Sequence, residues 1–398
     1  ISRYWIQEPT LMTTFLAIVL TAIAQSPGST PPAATGVPLI TPEGPLQRTD
    51  MVKHRFKMKV SINYEPQQST KAKWVLPLIA DGPWSTLDPE NFTVVLSAGT
   101  DHITLDGRDD FTVPTALGAG ELQIAVPPVN TWPLHITVEA NVTTWSSRLD
   151  NEAAMQIGWP DSWPAHVSKL ARPSPLIESG AKIITDTVEQ LTGGQVRSVP
   201  PIQAAKLIVQ DACSKFEVGQ THMSFGPQGQ LRGIAVVGAE AAAKAGSGSS
   251  ADLVCICVAM LRAAGLPARP VIGIGTGTAG RIGEFGVWAE VYIPKCGWTP
   301  FDPDKLREQS IRTLNATQPW EYFGTFPQLQ RRIPLSWSFA PQNGSTAFDS
   351  WAVGGWTRFL PSADFPVTIT GTTIQTKSGP FSLAPQRTVP SSVRLDRK

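Results

Sequence analysis

Alternation of apolar and polar residues is the clearest pattern in the first third of the chain. From Phe56 to Tyr64, apolar residues at every second position alternate with Lys, Ser and Asn. A period of two buries one face of a β-strand and exposes the other. Further short segments of strand-like composition lie at 74–78, 92–97, 102–105, 121–126 and 134–142. Because each is bounded by Gly, Pro, Asn or Asp, the pattern predicts a β-sandwich over residues 49–148.

Helical spacing replaces this alternation after Asn151. Apolar residues three and four apart predict a helix over 177–191, with Gly193 ending it, and a second helix over 202–216. A third predicted helix runs from about Ser249 to Ala264.

Glycine-rich and strand-like segments surround the third predicted helix. The segment 218–248 contains many glycines and predicts a long loop of the kind that is usually functional. Strands are predicted near 269–273, over 287–293 and around Trp298. Strand-like pieces after residue 310, including 333–339 and 365–370, predict hairpins packed on the middle domain.

An uncharged apolar run near the N-terminus predicts an export signal. Residues 15–24 are too few to cross a bilayer of about 30 Å as a helix. Small residues at Ala22 and Ala24 fit a signal peptidase, so we expect a signal peptide from Met12 to Ala24 with upstream residues before it. The protein is then expected to be exported, periplasmic or extracellular. The predicted divisions are the upstream residues and signal, 1–24; a Pro-rich linker, 25–48; the β-sandwich, 49–148; the middle domain, 149–310; a β-rich extension, 311–385; and an unordered tail, 386–398.

Composition excludes several classes of partner. The formal net charge is +1 over 398 residues, with both signs interspersed, so no basic footprint for nucleic acid or an anionic membrane is predicted. No cluster has metal-ligand spacing, and the glycines at 273–277 precede no helix, so no metal or other cofactor is predicted. The four cysteines, at 213, 255, 257 and 296, are too few for a disulfide framework in a chain of this size and fit core packing.

The most specific motif lies between residues 247 and 305. Arg262-Ala-Ala-Gly-Leu-Pro-Ala-Arg269 follows the third helix, and Val287-Trp-Ala-Glu-Val-Tyr292 and Gly297-Trp-Thr-Pro-Phe-Asp-Pro303 come next. This run resembles the core of the transglutaminase-like superfamily, whose fold is papain-like. The resemblance implies an α+β fold in which an N-terminal β-sandwich precedes a transglutaminase-like domain.

The resemblance also maps a catalytic site. A family nucleophile, a cysteine at a helix N-terminus, corresponds to Ser250, twelve residues before Arg262. The family histidine corresponds to Gly286, which cannot take a proton, and the family aspartate to Asp302, whose task would be to orient an imidazole. Ser250 also fits a helix cap, and Asp302 fits a turn before Pro303. We therefore expect a degenerate site.

Three functional hypotheses remain from the sequence. In the first, a catalytically silent cleft binds a peptide, a cell-wall fragment or a protein partner, with Trp288, Glu290 and the loop around His222 lining the surface. In the second, Ser250 acts in an amide hydrolase or acyltransferase with a displaced base. All five histidines precede Ser250, and His222 is the realistic substitute. In the third, the protein works through contacts of the β-sandwich.

Overall fold

Strands from both ends of the chain form the sheets of the N-terminal half. The computed structural model describes residues 44–64, 73–78, 81–88, 91–98, 101–105, 111–112, 120–125, 134–220, 223–225, 231–275, 284–339, 351–352, 358–360 and 367–378. All of them fall in one structural unit, Gly36–Lys398. The predicted signal peptide and the C-terminal tail lie outside the described residues.

The first eight strands confirm the alternating pattern near residue 56. They are β1 (Leu46–Tyr64), β2 (Lys73–Leu78), β3 (Ser85–Leu87), β4 (Thr93–Ala98), β5 (Asp101–Leu105), β6 (Phe111–Thr112), β7 (Gly120–Ala125) and β8 (Leu134–Leu149). Phe56 is buried between exposed neighbours on β1, as a period of two requires. The strand β1 begins at Leu46 and so takes in the last residues of the predicted linker.

The C-terminal strands complete these sheets. The strands β20 (Arg358–Leu360) and β21 (Val367–Ser378) give the orders β21-β1-β8-β4-β5, with β3 also paired to β8, and β20-β2-β7-β6. The prediction of a hairpin around 365–370 is therefore wrong, because this segment is one strand that pairs with β1. Long-range strand pairing cannot be read from local periodicity. The described strands of the N-terminal half thus form two sheets, and the packing of these two sheets as a sandwich stays a prediction.

The middle of the chain combines seven helices with short strands in the described part. The helices are α1 (Asn151–Met155), α2 (Ala165–Ser168), α3 (Lys182–Thr192), α4 (Pro201–Lys215), α5 (Ala239–Ala245), α6 (Ser250–Ala263) and α7 (Pro303–Glu308). The remaining strands are β9 (Glu217–Gln220), β10 (Met223–Phe225), β11 (Leu231–Ala235), β12 (Ser247–Ser249), β13 (Ala268–Gly275), β14 (Glu284–Ile293), β15 (Gly297–Phe301), β16 (Trp320–Glu321), β17 (Gly324–Thr325), β18 (Arg332–Ser336) and β19 (Trp351–Ala352). The prediction of a long loop over 218–248 is wrong, because α5, β10, β11 and parts of β9 and β12 occupy much of it.

Helix α6 is the buried centre of this region. Every residue from Ala251 to Arg262 is buried, and the helix packs against α3, α4 and α5 and against β13 and β14. The latter two belong to a sheet of order β15-β14-β13-β18. Helix α3 ends at Gly193, which has a φ of 57°, so the predicted glycine cap is confirmed. This helix begins at Lys182, later than the predicted 177.

A buried lysine joins α4 to the segment after α7. Lys206 is fully buried, and its Nζ donates hydrogen bonds to the Asn151 side chain and to the Gln318 carbonyl. The ammonium lies 5.3 Å from the Trp320 ring centroid. Desolvation lowers the pKa of Lys206 to about 8. Among the described residues, no helix combines the length and apolarity needed to cross a membrane.

Candidate catalytic cleft

Ser250 is the first residue of α6, as the alignment with the family nucleophile requires. The helix cap is its neighbour Ser249, whose Oγ accepts the N–H of Asp252. The interpretation of Ser250 as the cap is therefore wrong by one residue. Ser250 is 6% exposed and lies where backbone N–H groups and the helix dipole favour negative charge.

Asp252 fastens the N-terminus of α6 to the segment before α5. Its Oδ2 accepts hydrogen bonds from the N–H and the Oγ of Ser249, each at 3.0 Å. Its Oδ1 accepts the N–H groups of Val237 at 2.7 Å and Gly238 at 3.2 Å. This buried carboxylate is thus committed to four donors that hold the backbone around Ser250.

Arg262, the first residue of the motif that carries the resemblance, has a structural role. Arg262 is buried, with Nε donating to the Ala268 carbonyl and Nη1 to the Arg172 carbonyl and the Ser174 hydroxyl. Desolvation lowers the pKa of Arg262 to about 10. The guanidinium therefore ties the turn after α6 to the segment before α3.

Glu290 forms a buried ion pair with the other arginine of the motif. Arg269 and Glu290 face each other on β13 and β14, and Arg269 Nε and Nη2 each lie 2.7 Å from Glu290 Oε2. The guanidinium also stacks 4.0 Å from the Trp298 ring centroid. Burial raises the pKa of the Glu290 carboxyl, and the nearby Arg269 opposes that rise. Glu290 is 2% exposed, so the expectation that it lines a binding surface does not fit its position.

Trp288 is also buried, at 2% exposure, rather than displayed at a surface. Its ring covers Gly273 on the neighbouring strand, where an added Cβ would lie 2.4 Å from the ring and 2.5 Å from the Ile333 carbonyl oxygen. Position 273 therefore requires glycine. The expectation that Trp288 lines an exposed surface does not fit this packing, in which the ring forms part of the sheet's own core.

Gly286 stands in the place of the family histidine, beside space that no described residue fills. It pairs with Gly273 across β13 and β14, yet an added Cβ would meet no atom of the described residues within 4 Å, apart from its chain neighbours. The two glycines are therefore unlike. Packing requires glycine at position 273, whereas no contact among the described residues requires glycine at position 286.

Asp302 has a partner that the sequence analysis missed. Its Oδ1 accepts the N–H groups of Asp304 and Lys305, so it caps α7, as a turn acceptor before a proline was expected to do. Its Oδ2 lies 2.6 Å from Arg332 Nη2. The Asp302 side chain is 4% exposed and that of Arg332 is 17% exposed. The oxygen left over from capping is thus occupied by a guanidinium.

Arg332 reaches Asp302 across one face of the sheet. β13 and β14 lie between β18, which carries Arg332, and β15, which leads into Asp302. Residues opposite one another in antiparallel strands point to the same face, and Gly273 and Gly286 are such a pair. The Trp288 ring covers Gly273 on this face, and the Arg332 guanidinium lies 5.4 Å from the centroid of that ring. No repeat or motif marks Arg332, since it lies outside the run that resembles the family.

The remaining candidates do not add a base within the described residues. His222 lies outside them. The four cysteines are buried and free, and burial raises the pKa of the Cys255 thiol well above its ordinary value. That thiol is neutral inside α6 and is not an activated nucleophile. No group of His, Cys, Asp and Glu in the described part has the arrangement of a metal site.

Comparisons with known proteins bear on the family and the fold of this region. A family model described as the transglutaminase-like superfamily matches residues 186–303. A solved structure from Cytophaga hutchinsonii, provisionally described as a cysteine protease, is similar with a TM-score of 0.52 at 11% identity, covering 85% of this chain and 94% of that one. The periplasmic domain of TgpA from Pseudomonas aeruginosa matches at 14% identity with a TM-score of 0.28, covering 66% of this chain and 91% of that domain. No curated protein matches significantly.

Identity this low supports a shared fold and leaves the chemistry open. The family match spans α3 to the start of α7 and so contains Ser250, Gly286 and Asp302, whereas Arg332 lies beyond it. The chain therefore carries a transglutaminase-like domain over residues 186–303.

Proposed function

We propose that this transglutaminase-like domain is catalytically silent and that its former cleft binds a peptide. The peptide would be a free segment, a cell-wall fragment or part of a protein partner. One observation carries the proposal: Asp302, the place of the family's orienting carboxylate, pairs with Arg332, while the place of the histidine is Gly286. A carboxylate held by a guanidinium has no imidazole to orient.

Silence follows from the acid–base chemistry of Ser250. A serine hydroxyl is far less acidic than a cysteine thiol, so it attacks a carbonyl only with an adjacent base. A helix N-terminus helps to stabilise an oxyanion but does not accept the hydroxyl proton. The positions of the family histidine and aspartate offer no acceptor for it.

Binding is supported by the space that the described residues leave beside Gly286 and by the kind of fold. A cleft in which glycine replaces a larger side chain has room for an extra group of a ligand. The similar protein from Cytophaga hutchinsonii is described as a protease, a class that binds polypeptide. We infer that the ligand here is a peptide that the protein holds without cleaving.

Export is a further part of the proposal and is supported by the apolar run at 15–24 with small residues at Ala22 and Ala24. The test is cell fractionation followed by N-terminal sequencing of the recovered protein. A mature N-terminus at Gln25 is expected, and an intact Met12 in the cytoplasmic fraction would contradict it.

The test of silence is labelling with a fluorophosphonate probe, which reacts with activated serines. The wild-type protein and Ser250→Ala are expected to give the same background signal. Labelling of Ser250 in the wild type, located by peptide mapping and absent in Ser250→Ala, would overturn the proposal. Loss of that labelling in His222→Ala would then identify the displaced base.

A further inference from the structure

A cavity that none of the candidate catalytic residues lines is found between the end of α4 and the segment after α7. Its volume is about 590 Å³, within the range of about 300 to 1,000 Å³ of small-molecule sites. The wall consists of residues 213–217, Arg307 and residues 310–313. Ser250, Gly286 and Asp302 are not among them.

The charged side chains of this wall are mostly basic. Lys215, Arg307 and Arg312 stand against a single acid, Glu217, which gives three positive charges and one negative charge. Lys215 pairs with Asp211, with Nζ and Oδ1 2.7 Å apart. Arg312 Nη2 donates to the Ser214 carbonyl near the end of α4 at 2.7 Å, and its other N–H groups make no hydrogen bond within the described part of the chain.

Arg307 differs from the other two bases. It is half-buried in the last turn of α7, and within the described part of the chain its guanidinium has no hydrogen bond or ion pair. A guanidinium carries five donors in a planar fork that fits a carboxylate. An anion in the cavity would therefore give this guanidinium a partner that the described residues do not supply.

The inner part of the wall is apolar. Cys213, Phe216 and Ile311 are 3%, 5% and 3% exposed. Burial raises the pKa of the Cys213 thiol well above its ordinary value, so the neutral thiol acts as a small apolar group. A ligand that fits must combine a negative group at the rim with an apolar body inside.

We propose that this cavity binds a small organic anion, a carboxylate on an aliphatic or aromatic body, with Arg307 as its principal charged contact. The carboxylate pairs with the Arg307 fork, and Arg312 adds a second positive charge on the same wall. The apolar body lies against Phe216 and Ile311. The wall of this cavity contains none of Ser250, Gly286 and Asp302, so the proposal does not rest on the proposed function of the candidate cleft.

Calorimetric titration of the full chain with octanoate, acetate and octylammonium tests the proposal. Octanoate is expected to bind saturably, with the other two at least about tenfold weaker, because each lacks one half of the recognition. Arg307→Gln is expected to weaken octanoate binding about tenfold or more, as the loss of a charged hydrogen bond does. Arg331→Gln, an exposed arginine outside the cavity wall, is the matched control and should leave binding unchanged.

Three results would overturn the proposal. One is octanoate that shows no saturable binding up to millimolar concentration. Another is equal binding of octanoate and octylammonium, or of octanoate and acetate. The third is an Arg307→Gln protein whose affinity for octanoate equals that of the wild type, with circular dichroism confirming that both are folded.

Discussion

The ion pair between Arg332 and Asp302 stands where the family has a contact between histidine and aspartate. If the pair is a structural replacement for that contact, it should contribute measurably to the free energy of unfolding. We predict that Arg332→Met lowers the free energy of unfolding, because it leaves the Oδ2 of a carboxylate that is 4% exposed without its guanidinium. Methionine keeps an unbranched apolar stem, so the change removes the charge and its donors more than the volume.

The size of the effect follows from the contacts that are lost. Removing one partner of a buried ion pair costs about 3 to 5 kcal/mol, and the 17% exposure of Arg332 places this pair near the lower end. The guanidinium also lies 4.7 Å from the Phe326 ring centroid and 5.4 Å from that of Trp288. Such contacts add about 0.5 to 1 kcal/mol. The expected loss is therefore about 3 to 4 kcal/mol.

Urea denaturation followed by tryptophan fluorescence measures this loss. Arg331→Met is the matched control, because Arg331 is exposed and adjacent in sequence, and its substitution should change stability by less than about 0.5 kcal/mol. Arg332→Lys keeps the charge but loses the planar fork, so an intermediate loss is expected. A loss below about 1 kcal/mol in Arg332→Met would refute the idea that the pair is a structural replacement.

Three further predictions concern single residues. Gly273→Ala should destabilise the protein by more than about 2 kcal/mol, because its Cβ meets the Trp288 ring and a carbonyl, whereas Gly286→Ala should be neutral or slightly stabilising; equal unfolding midpoints would contradict the geometry. Asp252→Asn should lower the free energy of unfolding by about 2 to 4 kcal/mol in urea denaturation, because the asparagine amide would place a donor against the Ser249 N–H. An unchanged unfolding midpoint would contradict this prediction. The pKa of Lys206 is about 8 in the folded protein and about 10.4 when unfolded, so the folded state binds fewer protons between these values and stability should rise with pH there, by up to about 3 kcal/mol. Lys206→Met should lose this rise, and parallel pH profiles for the two proteins would contradict the assignment.

Local signals account for what the sequence predicted correctly. The alternation around Phe56, the glycine that ends α3 and the buried character of α6 depend on neighbours in the chain. The family motif located the turn after α6, since Arg262 and Arg269 are needed for that turn and for its link to β14. These features are decided by residues close in sequence or by one strand pairing.

Long-range pairing accounts for much of what was missed. Strand β21 pairs with β1 from more than three hundred residues away, and no periodicity announces such a partner. Helix α5 was missed for another reason. Its sequence, Ala-Glu-Ala-Ala-Ala-Lys-Ala, strongly favours a helix, but the glycines around it favoured the prediction of a loop.

The roles of the site residues depended on contacts that the sequence does not display. Trp288 and Glu290 stand in the motif beside the histidine position, but one covers Gly273 and the other pairs with Arg269. The cap moved from Ser250 to Ser249 because Asp252 is placed to complete a capping box with the earlier serine. Arg332 carried no signal at all.

Alkylation of a cysteine placed at position 250 tests the central claim most directly. The rate of reaction with iodoacetamide is measured against pH for Ser250→Cys alone, with Gly286→His and with Gly286→Ala, after subtracting the wild-type background from the four buried thiols. If Gly286 is the vacant place of the base, only the histidine variant should gain a low-pKa thiolate and react at least about tenfold faster at pH 6. Fast alkylation of Ser250→Cys alone at that pH, or no gain from Gly286→His, would contradict the account.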